Sequence, residues 1–220
     1  MKWFLGHLDD ITALMINHVA LALIPLILGL VLAIPLGWLA RRYRVLYTPL
    51  IAGTGLLYTI PSLALFILMP LILGTGILDP LNVVIALTVY TVALLVRTVA
   101  DGLGSVPDEV IQAATAMGIG PVRRFFGVEL PLAVPVIAAG LRVAAVSNVS
   151  IVSVAALLGI PQLGSLFTDG FARDFLDPIV VGILACMVLA LVLDLAILAI
   201  SRGLTPWRST VRPAAAGGAA

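Results

Sequence analysis

Residues 105–131 are the one long interior stretch of this chain that cannot cross a membrane, and apolar runs of spanning length lie on both sides of it. The stretch holds Asp108, Glu109, Arg123, Arg124 and Glu129. A spanning helix needs roughly 20 mostly apolar residues, and the runs at 17–40, 49–73, 81–100, 132–158 and 178–200 meet that need. The chain is 62% hydrophobic and 10% charged, against about 45–50% and about 25% in soluble domains. A water-soluble fold could not cover its surface with so few charges. The expected fold class is all-α integral membrane.

The joining segments set the expected topology. Arg41, Arg42 and Arg44 follow the first run, Arg123 and Arg124 lie in the central stretch, and Arg208 and Arg212 follow Arg202. The opposite set has Lys2, no basic residue in 74–80, and Arg173 among Asp169, Asp174 and Asp177. Short cytoplasmic loops carry the excess of Lys and Arg. Five transmembrane helices, N-terminus outside and C-terminus cytoplasmic, put every basic segment on one side. Six helices, with the fourth run split, is the alternative, and it moves the last arginines outside. Pro25, Pro35, Pro61, Pro70 and Pro135 are expected kink sites, suiting either a cavity wall or static bends.

Residues 1–16 carry Trp3, Phe4, Leu8, Ile11 and Met15 roughly on one helical face. They read either as an interfacial segment or as a frayed end. Residues 17–203 form the transmembrane domain, and the low-complexity tail at 204–220 is expected to be disordered. No basic region precedes a short apolar core and cleavage site, so the first span is expected to serve as its own insertion signal. A net charge of +1 with no large basic patch argues against a nucleic-acid partner. Cys186 is the only cysteine, so no intrachain disulfide is possible.

Inside 105–131 the local signals predict two short helices with a break between them. Ser105 with Asp108 three residues on can form a capping box, and Pro107 suits a first turn. Val110, Ala113, Ala114 and Met117 recur at helical spacing. Gly118, Gly120 and Pro121 stop one helix and start the next. Ala113 and Ala114 have little bulk, so their helix can approach a partner closely. Gly118 tolerates a chain reversal. Phe125 and Phe126 offer apolar area for docking, and Leu130-Pro131 returns the chain to the membrane. Another reading is an amphipathic loop lying on its own bundle.

Gln112-Ala113-Ala114, then Gly118, Val128 and Leu130-Pro131 resemble the E-A-A-x-x-x-G-x9-I-x-L-P signature of permease subunits of bacterial ABC importers. Gln112 stands where Glu is usual, and Val128 where Ile is usual. The run from Thr59 through Pro61 to Leu65 resembles the T-I-P-S-L-A-L run of the osmoprotectant branch of that family. Arg97-Thr98-Val99, Val106-Pro107, the run from Val128 to Ile137 and Ala139-Gly140-Leu141-Arg142 fit as well. Gly159 to Gly164 (GIPQLG) resembles the family's G-x-G-G-L-G loop with two glycines replaced. The likeness covers about residues 15–203.

The resemblance implies a type I ABC importer permease fold, multi-pass in a bacterial or archaeal plasma membrane. It implies the translocation pathway of an ATP-driven importer for glycine betaine, choline, carnitine or similar quaternary amines. The implied partners are ABC ATPase subunits, a second permease subunit (identical or paralogous), an extracytoplasmic substrate-binding protein and membrane lipid. Gln112, Ala113, Ala114, Gly118, Phe125, Phe126, Leu130 and Pro131 would couple the chain to the ATPase. No cofactor is expected on this chain, and ATP and Mg would be used by the partner.

The chain contains no G-x-x-x-x-G-K-[ST] loop and no H-E-x-x-H, and its only histidines are His7 and His18. It is not expected to be an enzyme or to hold a metal. Charges inside spans are costly. Arg142 and Asp194 lie at similar depths from one side at roughly 1.5 Å per residue, which predicts an ion pair, with Arg97 as the rival partner. Its role is structural, or it serves gating or substrate contact. Tyr58, Thr59, Ser62, Tyr90, Thr91, Ser147, Asn148, Ser150 and Ser153 make up the remaining polar set. These residues either line a pathway or pack helices, and Tyr58 or Tyr90 could meet a quaternary ammonium by cation–π contact. Two alternatives stand. One is a permease for methionine or another amino acid, against which the Pro61 run weighs. The other is a stand-alone channel or secondary carrier, which has no use for the central loop.

Overall fold

The structure is a computed structural model and describes residues 2–207. Of the tail expected to be disordered at 204–220, residues 208–220 lie outside the described residues, while Leu204 ends the last helix and Thr205 is buried. The helices are α1 (Lys2–Gly6), α2 (Leu8–Arg42), α3 (Arg44–Tyr58), α4 (Ser62–Leu73), α5 (Pro80–Gly104), α6 (Asp108–Ala116), α7 (Pro121–Arg124), α8 (Leu130–Val154), α9 (Ser165–Ala172) and α10 (Leu176–Leu204). No strand occurs among the described residues.

Contacts between helices fix the direction of each crossing. Gly29 of α2 lies against Thr91 of α5, Gly37 against Val99, and Arg41 beside Gly104. The offset stays constant, so α2 and α5 run parallel. A Cβ on Gly37 would sit 2.6 Å from Val99 Cγ1, which is why small residues mark this seam. Helix α8 runs the other way, with Gly140 against Thr98 and Ile137 against Gly102. In turn α10 opposes α8, since Asp194 meets Arg142 and Cys186 meets Ser153.

Parallel α2 and α5 require the chain between them to cross back once, and α3 with α4 does so. Tyr47 lies at Asp101, Tyr58 at Tyr90, and Thr75 at Asn82, so the pair descends antiparallel to α5. With the bent pair taken as one span, that makes five crossings among the described residues. The second is not the continuous kinked span expected at 49–73, because α3 and α4 meet at 100° across Thr59–Ile60–Pro61. Pro61 lacks an N–H and drives Ile60 away from the helical region. The carbonyl of Ile60, freed by the break, accepts a hydrogen bond from the Tyr90 hydroxyl. Such groups must find partners where water is absent. Pro25 and Pro35, by contrast, sit inside an unbroken α2.

Other boundaries also moved. The first span is continuous with residues 8–16, giving a 35-residue helix of about 52 Å. The fourth run is one helix followed by a 3-10 turn at Ala155–Leu158, so the six-helix alternative fails here. The Gly- and Pro-rich segment after it contains α9, seated on α10 where Gly182 admits the ring of Phe167. The core surrounds α5, whose spanning window is 56% buried, while that of α10 is 11% buried. Arg41, Arg42, Arg123, Arg124 and Arg202 all lie towards one end of the bundle, and the segments at 74–79 and 159–175 towards the other.

Candidate functional site

The segment between α5 and α8 is built as an elbow of two short helices. The expected capping box does not form. Ser105 Oγ donates instead to the Gly102 carbonyl at 2.7 Å, and α6 begins at Asp108, just after Pro107, without a side-chain cap. Its other end closes tightly, with Gly118 N donating to Thr115 O at 2.9 Å and Ile119 N to Ala114 O at 3.1 Å. This paired closure needs a left-handed residue after the helix, and Gly118 supplies it at φ +77°.

The second short helix is not separate from the fourth span. Pro131 has no N–H to bond the Gly127 carbonyl, and its ring crowds that oxygen. The backbone widens to a π turn over Phe125–Glu129, with Leu130 N bonded to Phe125 O, and runs on into α8. Arg124 ties the elbow together. Its Nε donates to Glu129 Oε1 at 2.8 Å and its Nη1 to Thr115 Oγ1 at 2.7 Å.

The eight expected coupling residues divide into two groups. Gln112, Ala113, Gly118 and Phe126 are exposed. Ala114 is buried, and Leu130 and Pro131 are half-buried. Phe125 is buried too, edge-on to Trp38 of α2 at 6.1 Å. Its ring is therefore packed into its own bundle, whereas Phe126 is 63% exposed. Met117, read in the sequence only as part of the helical spacing, and Val122 are the other large apolar side chains exposed on this segment.

Arg142 and Asp194 meet in a two-point fork, with Nε to Oδ1 at 2.6 Å and Nη2 to Oδ2 at 2.7 Å. Arg97 lies elsewhere, exposed and 3.7 Å from Asp101.

The polar residues expected to line a pathway also separate. Asn148 is buried where three helices meet. Its Nδ2 donates to Ala22 O of α2 at 3.2 Å and to Thr91 Oγ1 of α5 at 3.1 Å. Tyr90 is buried and bonded at the α3–α4 break, and Ser153 Oγ bonds Val149 O at 3.4 Å beside Cys186. Tyr90, Thr91 and Asn148 therefore bond across helices, while Ser153 Oγ bonds within α8 and lies 3.8 Å from Cys186 Sγ of α10. Tyr58, Thr59 and Ser150 are exposed, and Ser62 and Ser147 are half-buried. The Tyr58 ring stands edge-on to Tyr90 at 5.7 Å.

One polar cluster escaped sequence reasoning. His18 is fully buried, its Nδ1 3.0 Å from Gln162 Oε1 and its Nε2 3.0 Å from Val149 O. Gln162 is fixed in turn, accepting from Gly164 N at 2.6 Å and donating to Ser153 O at 3.3 Å. Asn17 Nδ2 adds a bond to Pro161 O. The loop at 159–164 is thereby latched onto α2 and α8. The available signal was a lone His inside an apolar run and a Gln where the resembling loop has Gly. Among the described residues no group of three or more His, Cys, Asp or Glu could hold a metal.

Comparison with known proteins agrees with this architecture. Residues 13–206 match the family described as "Binding-protein-dependent transport system inner membrane component". The chain is 34% identical over 197 residues to the osmoprotectant import permease protein OsmW of Salmonella typhimurium, covering 88% of this chain and 91% of that one. It is 30% identical over 190 residues to the choline transport system permease protein OpuBB of Bacillus subtilis, covering 86% of each. The fold superposes on a chain of the inward-facing MetNI methionine ABC transporter with a TM-score of 0.81 at 21% identity, covering 91% of this chain and 98% of that one. The constant offsets along α2, α5 and α8 and the elbow before α8 thus belong to a known architecture, and the chain is a member of the binding-protein-dependent transport system inner-membrane component family.

Proposed function

We propose that this chain forms the translocation pathway of an ATP-driven importer for quaternary-amine osmoprotectants such as glycine betaine, choline or carnitine. The observation that carries the reading is the elbow at Asp108–Ala116 and Gly118. It is a short helix closed by a left-handed glycine, braced by Arg124, that holds Gln112, Ala113, Met117 and Phe126 outward at the basic end of the bundle. Basic loops mark the cytoplasmic side, so this end faces the cytoplasm, the described N-terminal end lies outside, and the elbow docks on a separate ATPase that uses ATP and Mg. A second permease subunit completes the pathway, and an extracytoplasmic binding protein delivers the solute at the end bearing 159–164. The substrate class is supported by what the similar permeases are named for, osmoprotectant import and choline transport. Tyr58, exposed beside the α3–α4 break, is the aromatic face best placed to meet a quaternary ammonium.

The decisive experiment is uptake into proteoliposomes. The chain, reconstituted with its ATPase and binding protein, should accumulate labelled glycine betaine or choline only when ATP is supplied. Flux through the chain alone, without the ATPase, would overturn the reading.

A further inference from the structure

We infer that the cleft between the first half of α8 and the last turn of α10 is a binding site for a phosphate-bearing amphiphile, the headgroup of an anionic phospholipid. The cleft has a volume of about 510 Å³ and is walled by Pro135, Ala139, Leu198, Arg142, Ser201 and Arg202. It lies at the end of the bundle that also carries Arg41, Arg42, Arg123 and Arg124.

Its charge is not balanced. Arg142 spends Nε–H and one Nη2–H on Asp194. A guanidinium carries five N–H donors, so three remain. Arg202 is exposed, and among the described residues no carboxylate lies within 4.0 Å of it. The cleft therefore holds two cations against the single Asp194. A metal cation would be repelled, and a neutral solute would leave Arg202 uncompensated. The planar fork of Arg202 matches phosphate oxygens.

Shape points to the rest of the ligand. Arg202 sits eight positions beyond Asp194 on α10, about 12 Å along the helix axis. The walls between the two levels are the apolar Pro135, Ala139 and Leu198. An occupant with its charge at the rim and apolar atoms below fits that gradient better than inorganic phosphate, which would leave most of the cleft empty. With only 11% of its spanning window buried, α10 leaves its flank open to the bilayer. Basic pockets between membrane helices at their cytoplasmic ends commonly take anionic headgroups.

The test uses the full chain in the assembly in which it purifies, placed in nanodiscs of phosphatidylcholine with or without phosphatidylglycerol. Bound lipid is read by native mass spectrometry and affinity by titration. Arg202→Gln removes the unpaired charge without touching the ion pair, and Ala139→Phe fills the cleft from an exposed position. Phosphatidylglycerol should bind the wild type selectively, and each variant should weaken it about tenfold or more, with inorganic phosphate failing to compete. If inorganic phosphate competes at millimolar concentration and Arg202→Gln abolishes its binding, the site holds and its source is a soluble phosphate compound. If both variants retain wild-type affinity for phosphatidylglycerol, the inference is wrong, and Arg202 serves only to complement the end of its helix.

Discussion

Arg142 of α8 and Asp194 of α10 are joined by two parallel hydrogen bonds of 2.6 and 2.7 Å, the strongest polar link between the last two spans. A charge left alone in a span is costly, so the two residues must be kept or removed together. Arg142→Gln or Asp194→Asn alone should lower the thermal stability of the purified chain. The double variant should lose clearly less than the sum of the two, because neither charge is then orphaned. Strict additivity in the four melting curves would show that the pair contributes nothing as a pair.

Phe125 and Phe126 are adjacent in sequence and opposite in burial. Phe125→Ala removes a ring buried against Trp38 and should cost the chain about 3 kcal/mol or more of stability. Phe126→Ala should leave melting unchanged while weakening association with the ATPase. The readouts are thermal denaturation and co-purification of the ATPase, and equal behaviour of the two variants would refute the assignment.

Gly118 closes α6 at a positive φ with open space around it. A Cβ there meets nothing within 4 Å, so the loss expected for alanine within the isolated subunit is backbone strain, about 1–2 kcal/mol. Gly118→Ala should therefore lower stability modestly. If the ATPase approaches closely, Gly118→Trp should reduce ATPase-coupled uptake far more than its effect on melting explains. Unimpaired uptake by Gly118→Trp would count against docking at the elbow.

Replacing His18 by Ala removes a buried ring and its links to Val149 O and Gln162 Oε1, leaving these acceptors only Ser153 Oγ and Gly164 N among the side-chain bonds of the cluster. The expected cost is about 2 kcal/mol, read by melting in detergent. Because the cluster latches 159–164 to α2, limited proteolysis in that loop should also accelerate. Gln162→Ala should do the same, and an unchanged cleavage rate in both would argue that the loop is held by its apolar contacts alone.

Much of the fold was legible in the sequence because a bilayer makes length and charge decisive. Runs of about 20 apolar residues have one stable state in lipid, and arginines between them mark one end. Local chemistry also foretold the elbow's closure at Gly118, since few residues tolerate a positive φ. Pro61 shows the limit. A proline in a span reads equally as a kink or a break, and the choice rested on the Tyr90 hydroxyl, thirty positions away, being able to satisfy the Ile60 carbonyl.

What the sequence determined by itself is the class of the molecule and the place of its polar elbow between the third and fourth spans. What only the tertiary structure decided is the direction in which each polar side chain points. Phe125 turned inward because Pro131 widened the helix into a π turn. Asn148 and Thr91 became interhelix bonds because α2 and α5 lie close enough at Gly29 for one amide to reach both. His18 and Gln162 found each other across 144 positions. Spacing along a chain fixes which face of a helix a residue occupies, but whether that face meets lipid, a pathway or a neighbour depends on where the other helices settle.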